Sequence, residues 1–237
     1  MSAPLGTIES NLLAVRARIE RAALRAGRDP RDVLLLAVSK TKPLADIEAA
    51  HAAGARDFGE NYAQELAEKQ PALTHLQGIR WHFVGRLQTN KAKLVAKIAT
   101  MVHAVDSARL ATELGKRAEG RTTPLEVLVE VNVGAETSKG GVVPSELEPV
   151  LRAIDACSAL RLRGLMSIPP HTETPEESRR FHRTLRELRD VHGGATRLPH
   201  LSMGMTDDLE VAVEEGATIV RIGTAIFGAR ARDAPPT

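Results

Sequence analysis

The sequence predicts a single parallel (β/α)8 barrel (a TIM barrel) preceded by one additional N-terminal helix. Three observations lead there. Eight short apolar segments recur along the chain, each but the last followed by a helical stretch, and parallel strands need such crossovers because a tight turn cannot join them. The first strand candidate, residues 33–38 (VLLLAV), is apolar on both faces, as a strand covered on both sides would be. The chain length, 237 residues, suits eight βα units. A doubly wound open sheet is the competing arrangement, but it usually carries a glycine-rich first turn. Here that turn reads Ser39-Lys40-Thr41-Lys42-Pro43, without a glycine.

The opening helix is capped by Thr7 or Ser10 and repeats Ile8, Leu12, Val15, Ile19, Ala22 and Ala23 at helical spacing until Gly27 and Pro30 stop it. After the strand at 33–38, a helix runs over 43–53 and ends at Gly54. Further strands are expected at 55–58, 79–84, 101–105, 125–131, 160–167, 198–202 and 218–222, each a short apolar run of strand length. Between them helical stretches cover 62–69, 91–98, 108–119, 145–156, 176–192 and 208–215. The Pro-rich stretch 168–175 (IPPHTETP) reads as a long βα loop, so residues 1–230 form one domain. The tail 231–237 is expected to be disordered.

Composition narrows the function. Lys+Arg (32) and Asp+Glu (30) nearly cancel, so no broad cationic face is expected and neither a nucleic-acid nor a membrane partner fits. Aromatics at 3% are too sparse for base stacking. The one cysteine, Cys157, excludes an internal disulfide and thiolate zinc sites, and a cytoplasmic setting follows. The eight histidines form no HxH or HxxxH pair, so no metal site is expected. The arginines between 179 and 189 alternate with acids and read as a solvated helix face.

In such barrels chemistry sits at the C-terminal strand ends. Those ends are polar: Lys40; Glu60-Asn61-Tyr62; His82; His103 and Asp106; Glu130; Met166-Ser167; Ser202-Met203-Gly204; and Arg221-Ile222-Gly223-Thr224. Hydroxyls and glycines after strands seven and eight, namely Ser202, Gly204, Gly223 and Thr224, are what a barrel uses to hold phosphate. A lysine at the end of a buried strand is partly desolvated, which favours imine formation with a carbonyl. Lys42, its neighbour, is expected to be solvated. Arg221 can only donate, and suits a phosphate, a carboxylate or a ring nitrogen acting as acceptor. Together these describe pyridoxal phosphate better than a sugar phosphate.

The runs 37–40 (AVSK), 58–62 (FGENY), 82–91 (HFVGRLQTNK), 202–208 (SMGMTDD) and 220–228 (VRIGTAIFG) resemble the pyridoxal phosphate homeostasis proteins, the YggS/PROSC family. The resemblance runs from the first helix to about Arg230. It implies a barrel similar to the N-terminal domain of alanine racemase, with Lys40 carrying pyridoxal 5′-phosphate as a Schiff base. It also implies that Ser202, Gly223 and Thr224 hold the phosphate, that Arg221 faces the pyridine nitrogen, and that Asn61, His82 and Met166 line the ring. Thr206 stands where serine is common in the family. The implied role is buffering and delivery of the cofactor to apo-enzymes, with little or no catalysis, by a monomer. Alanine racemases take a second base, a tyrosine, from an additional domain; the one tyrosine here, Tyr62, follows strand two, so a two-base racemase is disfavoured. A weak racemase or transaminase, and a cofactor-free Schiff-base aldolase, are the competing readings. Lys42 and Lys139 are further amines able to meet an aldehyde.

Overall fold

The computed structural model describes residues 7–134, 136 and 140–229. Helix α1 (Ile8–Arg25) is capped by Thr7, whose side chain accepts from the Ser10 amide. Eight parallel strands then close into a barrel in sequence order: β1 (Leu34–Val38), β2 (Asp57–Glu60), β3 (Arg80–Phe83), β4 (Met101–Val105), β5 (Leu125–Glu130), β6 (Leu160–Met166), β7 (His200–Ser202) and β8 (Ile219–Ile222). The helices between them are α2 (Leu44–Ala52), α3 (Ala63–Ala72), α4 (Ala92–Ile98), α5 (Ala108–Ala118), α6 (Leu147–Asp155), α7 (Pro175–Val191), the short α8 (Gly194–Arg197), and α9 (Leu209–Glu214). A last short helix, α10 (Thr224–Phe227), follows β8 directly. The barrel and its N-terminal helix are therefore as expected. Strand β2 lies two residues later than expected, because Glu60, which reads as a loop residue, is fully buried.

Two apolar layers follow from the period-2 alternation of a strand. On β1, Leu35 and Ala37 belong to the outer layer shared with the helices. Leu34, Leu36 and Val38 face inward, in a small lumenal cluster with Val84, Met101, Leu128, Met166 and Ile219. Continued past the strand, this alternation turns Ser39 outward and Lys40 toward the mouth. Register does the rest: Leu36 pairs with Arg221 and Ala37 with Ile222, so Lys40 and the segment Gly223–Thr224 emerge side by side at one rim.

Helix α1 locks the last βα units. Arg18 donates to Glu210 and to the Thr206 carbonyl, Arg28 to the Val213 carbonyl, and Asn11 to the Ile226 carbonyl at 2.9 Å. The arginines of α7 are more than a solvated face. Arg179 bridges Glu176, Glu214 and Glu215, and Arg183 and Arg186 also reach Glu215. They tie α7 to α9 and to the turn after it. No helix among the described residues is long and apolar enough to cross a membrane. The tail 231–237 and Lys139 lie outside the described residues.

Candidate functional site

Lys40 sits at the tip of a turn in which the Lys42 amide donates to the Ser39 carbonyl at 3.0 Å. Thr41, the next residue, has φ of 61°, the one positive φ among the described non-glycine residues. A β-branched residue in that region is strained, and strain persists only where the surroundings impose it. Here the imposing groups are visible. The Glu65 carboxylate accepts from the Thr41 amide at 2.8 Å. Lys69, almost fully buried, donates to the Ser39 carbonyl (2.8 Å), Glu60 Oε1 (2.9 Å) and Glu65 Oε2 (2.7 Å). The Ser39 hydroxyl donates to Glu60 Oε1 at 2.6 Å. Burial pushes the Glu60 carboxyl above its ordinary value, with the Lys69 charge opposing it.

Lys42 is not solvated as expected. Its ammonium donates to the carbonyls of Phe227, Gly228 and Ala229 at 2.9, 3.1 and 3.0 Å, where a cation satisfies the open carbonyls of a helix C-terminus. With Asn11 it anchors the far end of α10. A Cβ on Gly223 would stand 3.2 Å from the Val38 carbonyl oxygen, so the strand–helix junction is close-packed against β1. Thr224 follows it and is exposed. Thr206 stands across, its Oγ1 3.4 Å from the Ala225 amide. The loop bearing Thr206 is held by Asp208, which accepts from the Met205 amide (2.6 Å) and pairs with buried His182 (3.0 Å). Burial alone would raise the Asp208 carboxyl, but these two hydrogen bonds hold it below the ordinary value. Gly204 in this loop has φ of 90°, and a Cβ there would meet Ala212 Cβ at 2.5 Å.

Ser202 is less accessible than Gly223 and Thr224. It is fully buried in the lumen, where its carbonyl and hydroxyl accept from Arg221 Nη1 at 2.6 and 3.0 Å. Arg221 Nη2 donates to the Ser167 carbonyl at 2.8 Å. Burial lowers the Arg221 guanidinium to about 10, with Asp208 and Glu130 opposing the shift, so it keeps its charge at neutral pH. Glu130, also buried, is raised by burial and restrained by the charge of Arg221.

Below Arg221 a polar chain descends the lumen. Ser202 Oγ lies 2.9 Å from His103 Nδ1, His103 Nε2 lies 3.0 Å from His82 Nδ1, and His82 Nε2 lies 3.1 Å from Asp57 Oδ1. Asp57 also accepts from Arg80 at 2.6 and 2.5 Å. Burial, and then the charge of Arg221, push His103 well below its ordinary value, so it is neutral. The Asp57 carboxylate can only accept, so His82 donates to it from Nε2. With His82 Nδ1 as acceptor, His103 donates to it from Nε2, and the Ser202 hydroxyl donates to His103 Nδ1. Every donor points away from Arg221. Burial would raise Asp57, but the bonds from His82 and Arg80 hold it low.

Of the expected residues, Lys40, Asn61, Gly223 and Thr224 stand at the mouth, while Arg221 is buried just inside it. Met166 is buried in the lumenal cluster beneath. His82 and Ser202 act from within the lumen through hydrogen bonds. Asn61 Oδ1 and Ser167 Oγ are buried and have no hydrogen-bond partner, an unusual state for groups that normally pair. Sequence reading passed over Lys69 and Asp57 as site elements, and it noted Ser167 and Thr206 near strand ends without giving either a role. Among the described residues no group of His, Cys, Asp or Glu could hold a metal ion.

The chain resembles known proteins along its whole length. The profile of the alanine racemase N-terminal domain family matches residues 10–231. A protein of Pseudomonas aeruginosa named pyridoxal phosphate homeostasis protein is 49% identical over 98% of this chain and 99% of its own. The structure of PipY from Synechococcus elongatus with pyridoxal phosphate bound superposes with a TM-score of 0.76 at 37% identity, covering 89% of this chain and all of that one. Alanine racemase of Corynebacterium glutamicum shares the fold, with a TM-score of 0.64 at 18% identity over 95% of this chain and 63% of that one. This chain belongs to the alanine racemase N-terminal domain family, among the relatives named for pyridoxal phosphate homeostasis.

Proposed function

We propose that this protein binds pyridoxal 5′-phosphate at the barrel mouth and serves the homeostasis of that cofactor rather than a reaction of its own. The observation that carries the reading is the β1–β8 pairing. It brings an amine, Lys40, beside a glycine-lined helix start, Gly223–Thr224, over a buried permanent donor, Arg221. The residues fit the group in three ways. Asn61 and Ser167 offer buried polar atoms without partners, Gly223 leaves close backbone approach, and the mouth combines cations with hydroxyls as a phosphate requires.

When bound, the cofactor supplies a reactive aldehyde and an electron-poor ring. Lys40 is the amine proposed to hold the aldehyde as a Schiff base. Thr224, the Gly223 backbone and Thr206 hold the phosphate, with Ser202 contributing through Arg221. Arg221 donates to the pyridine nitrogen and, because it keeps its own proton, leaves that nitrogen unprotonated, which weakens the ring as an electron sink. Asn61 borders the ring, with His82 and Met166 beneath it. The setting is cytoplasmic, the protein a monomer, and apo-enzymes that use the cofactor are its recipients.

The deciding experiment is an absorbance spectrum of purified protein with added cofactor, before and after borohydride, for wild type and Lys40→Ala. A borohydride-reducible band is expected in wild type and is lost in Lys40→Ala. The same band in both proteins overturns the assignment of Lys40, and a protein that takes up no cofactor overturns the reading. Delivery is tested by reactivating an apo-enzyme with loaded protein against free cofactor at equal concentration. No advantage for the loaded protein removes the carrier role, and enzyme-like α-deuterium exchange of an amino acid restores the racemase.

A further inference from the structure

The segment after β3, residues 85–91 (GRLQTNK), takes no part in the site above. With the loops after β2 and β4 it walls a groove of about 1020 Å3 beside the mouth. Buried Phe83, Leu87 and Leu110 form an apolar floor, and Tyr62, 51% exposed, stands at the rim. Three cations line the walls, Arg86, Lys91 and Arg109. All three are exposed, and among the described residues none has an ion pair or a side-chain hydrogen bond. Arg21, Lys93, Lys97, Lys116 and Arg161 are likewise without an ion pair among the described residues, so what sets these three apart is that they share one groove. The one acid in the groove, Asp106, accepts from the Ser107 hydroxyl at 3.1 Å.

Helix α5 sharpens the contrast. Its first turn carries Arg109 and no acid, and α4 beside it also opens without one, whereas α1, α2, α3, α6 and α7 open with Asp or Glu. A cation there opposes the helix dipole, and an anion in the groove would relieve both. Asn61 is shared: it lines the groove, and its buried Oδ1 has no partner. A molecule in the groove therefore sits next to the Lys40 site.

We propose that the groove is a second, non-covalent site for a phosphate monoester carried on a planar ring. Arg86, Lys91 and Arg109 take the dianion, and the ring lies on the apolar floor against Tyr62. This rests on the cofactor reading of the neighbouring site, and it gives the cofactor a waiting position between solvent and Lys40. A polynucleotide is the poorer occupant, since only three cations line the groove on a chain of net charge +2.

The test uses protein whose Lys40 site has been filled with cofactor and fixed by borohydride. Pyridoxine 5′-phosphate, which has no aldehyde, is titrated by calorimetry at low salt. Pyridoxine, inorganic phosphate and a single-stranded oligonucleotide are run in parallel. One equivalent of pyridoxine 5′-phosphate is expected to bind, pyridoxine not at all, and inorganic phosphate more weakly. Arg86→Gln and Arg109→Gln, both exposed and with unchanged unfolding midpoints, each weaken binding about tenfold. Absence of saturable binding, binding by both variants as tight as by wild type, or tighter binding of the oligonucleotide overturns the proposal. If wild type never takes cofactor onto Lys40, that reading fails separately. The same titration on unloaded Lys40→Ala then decides the groove by itself.

Discussion

Replacing Lys69 by methionine tests what holds the Lys40 turn. The lysine side chain is 9% exposed and its partner Glu60 is 0% exposed, so the substitution strands a buried carboxylate and removes three charge-assisted bonds. Losing one member of a buried pair costs about 3–5 kcal/mol. For a domain of this size each kcal/mol lowers the Tm by about 2–4 °C, so a fall of about 6–20 °C is expected. The sign of the pH dependence follows from Glu60. Its carboxyl is already raised by burial with Lys69 present, and without that cation it rises further. A raised acid binds its proton more tightly folded than unfolded. Stability is then lost as pH climbs from the ordinary glutamate value, about 4.3, to the folded value. The deficit of Lys69→Met is therefore largest at neutral pH and shrinks on acidification. Adding Glu60→Gln in the same chain restores most of it. Thermal and urea unfolding of the three proteins between pH 4.5 and 7.5 measure this. A Lys69→Met protein melting within about 2 °C of wild type at pH 7.5, or a deficit independent of pH, refutes the reasoning.

Three further outcomes are expected. Gly85→Ala places a Cβ 2.2 Å from the Asn61 carbonyl oxygen and 2.7 Å from its Cα, so the backbone must shift, costing about 1–3 kcal/mol. Spectral titration should show weaker cofactor retention, and unchanged affinity would remove Asn61 from the site. His200 is held down to about 4 by burial, then by the charge of Arg163. A folded imidazole that resists protonation costs stability as pH falls below about 6.5, so His200→Gln flattens the acid side of the urea-midpoint curve, and parallel curves contradict it. Arg221→Gln shortens the donors available to the Ser202 and Ser167 carbonyls and removes the charge that restrains Glu130. Cofactor affinity should drop at least about tenfold, each lost charged hydrogen bond being worth about 1.5–3 kcal/mol, and a spectrum and affinity equal to wild type refute the role given to Arg221.

Strand β1 was legible because residues buried on both faces must be apolar, and Lys40 because it breaks that run. Strand β2 was displaced because its last residue is charged, and the lysine that makes Glu60 tolerable lies nine positions on, in a helix. Ser202 and Thr206 read alike as hydroxyls near a glycine. Only the register of β7 shows that the first faces the lumen and the second the start of α10. The environment of Lys42 depends on contacts about 185 residues away, which local pattern cannot carry. The lumenal chain joins His82 to His103 and His103 to Ser202 across 21 and 99 positions. No spacing rule could assemble it, although each member was visible as a polar residue near a strand end.

That chain changes how the two faces of this barrel divide their work. Residues at the N-terminal face ordinarily matter to stability alone. Here Asp57 and Arg80, at the beginnings of β2 and β3, terminate a one-way sequence of donors whose first member is the guanidinium beneath the mouth. A substitution on the floor can thus alter the rotamer of the Ser202 hydroxyl and the tautomers of two imidazoles without moving the backbone. Variation at Asp57 would then register as a spectral change at the opposite end of the molecule, and a search for residues that tune the bound chromophore should include the floor of the barrel.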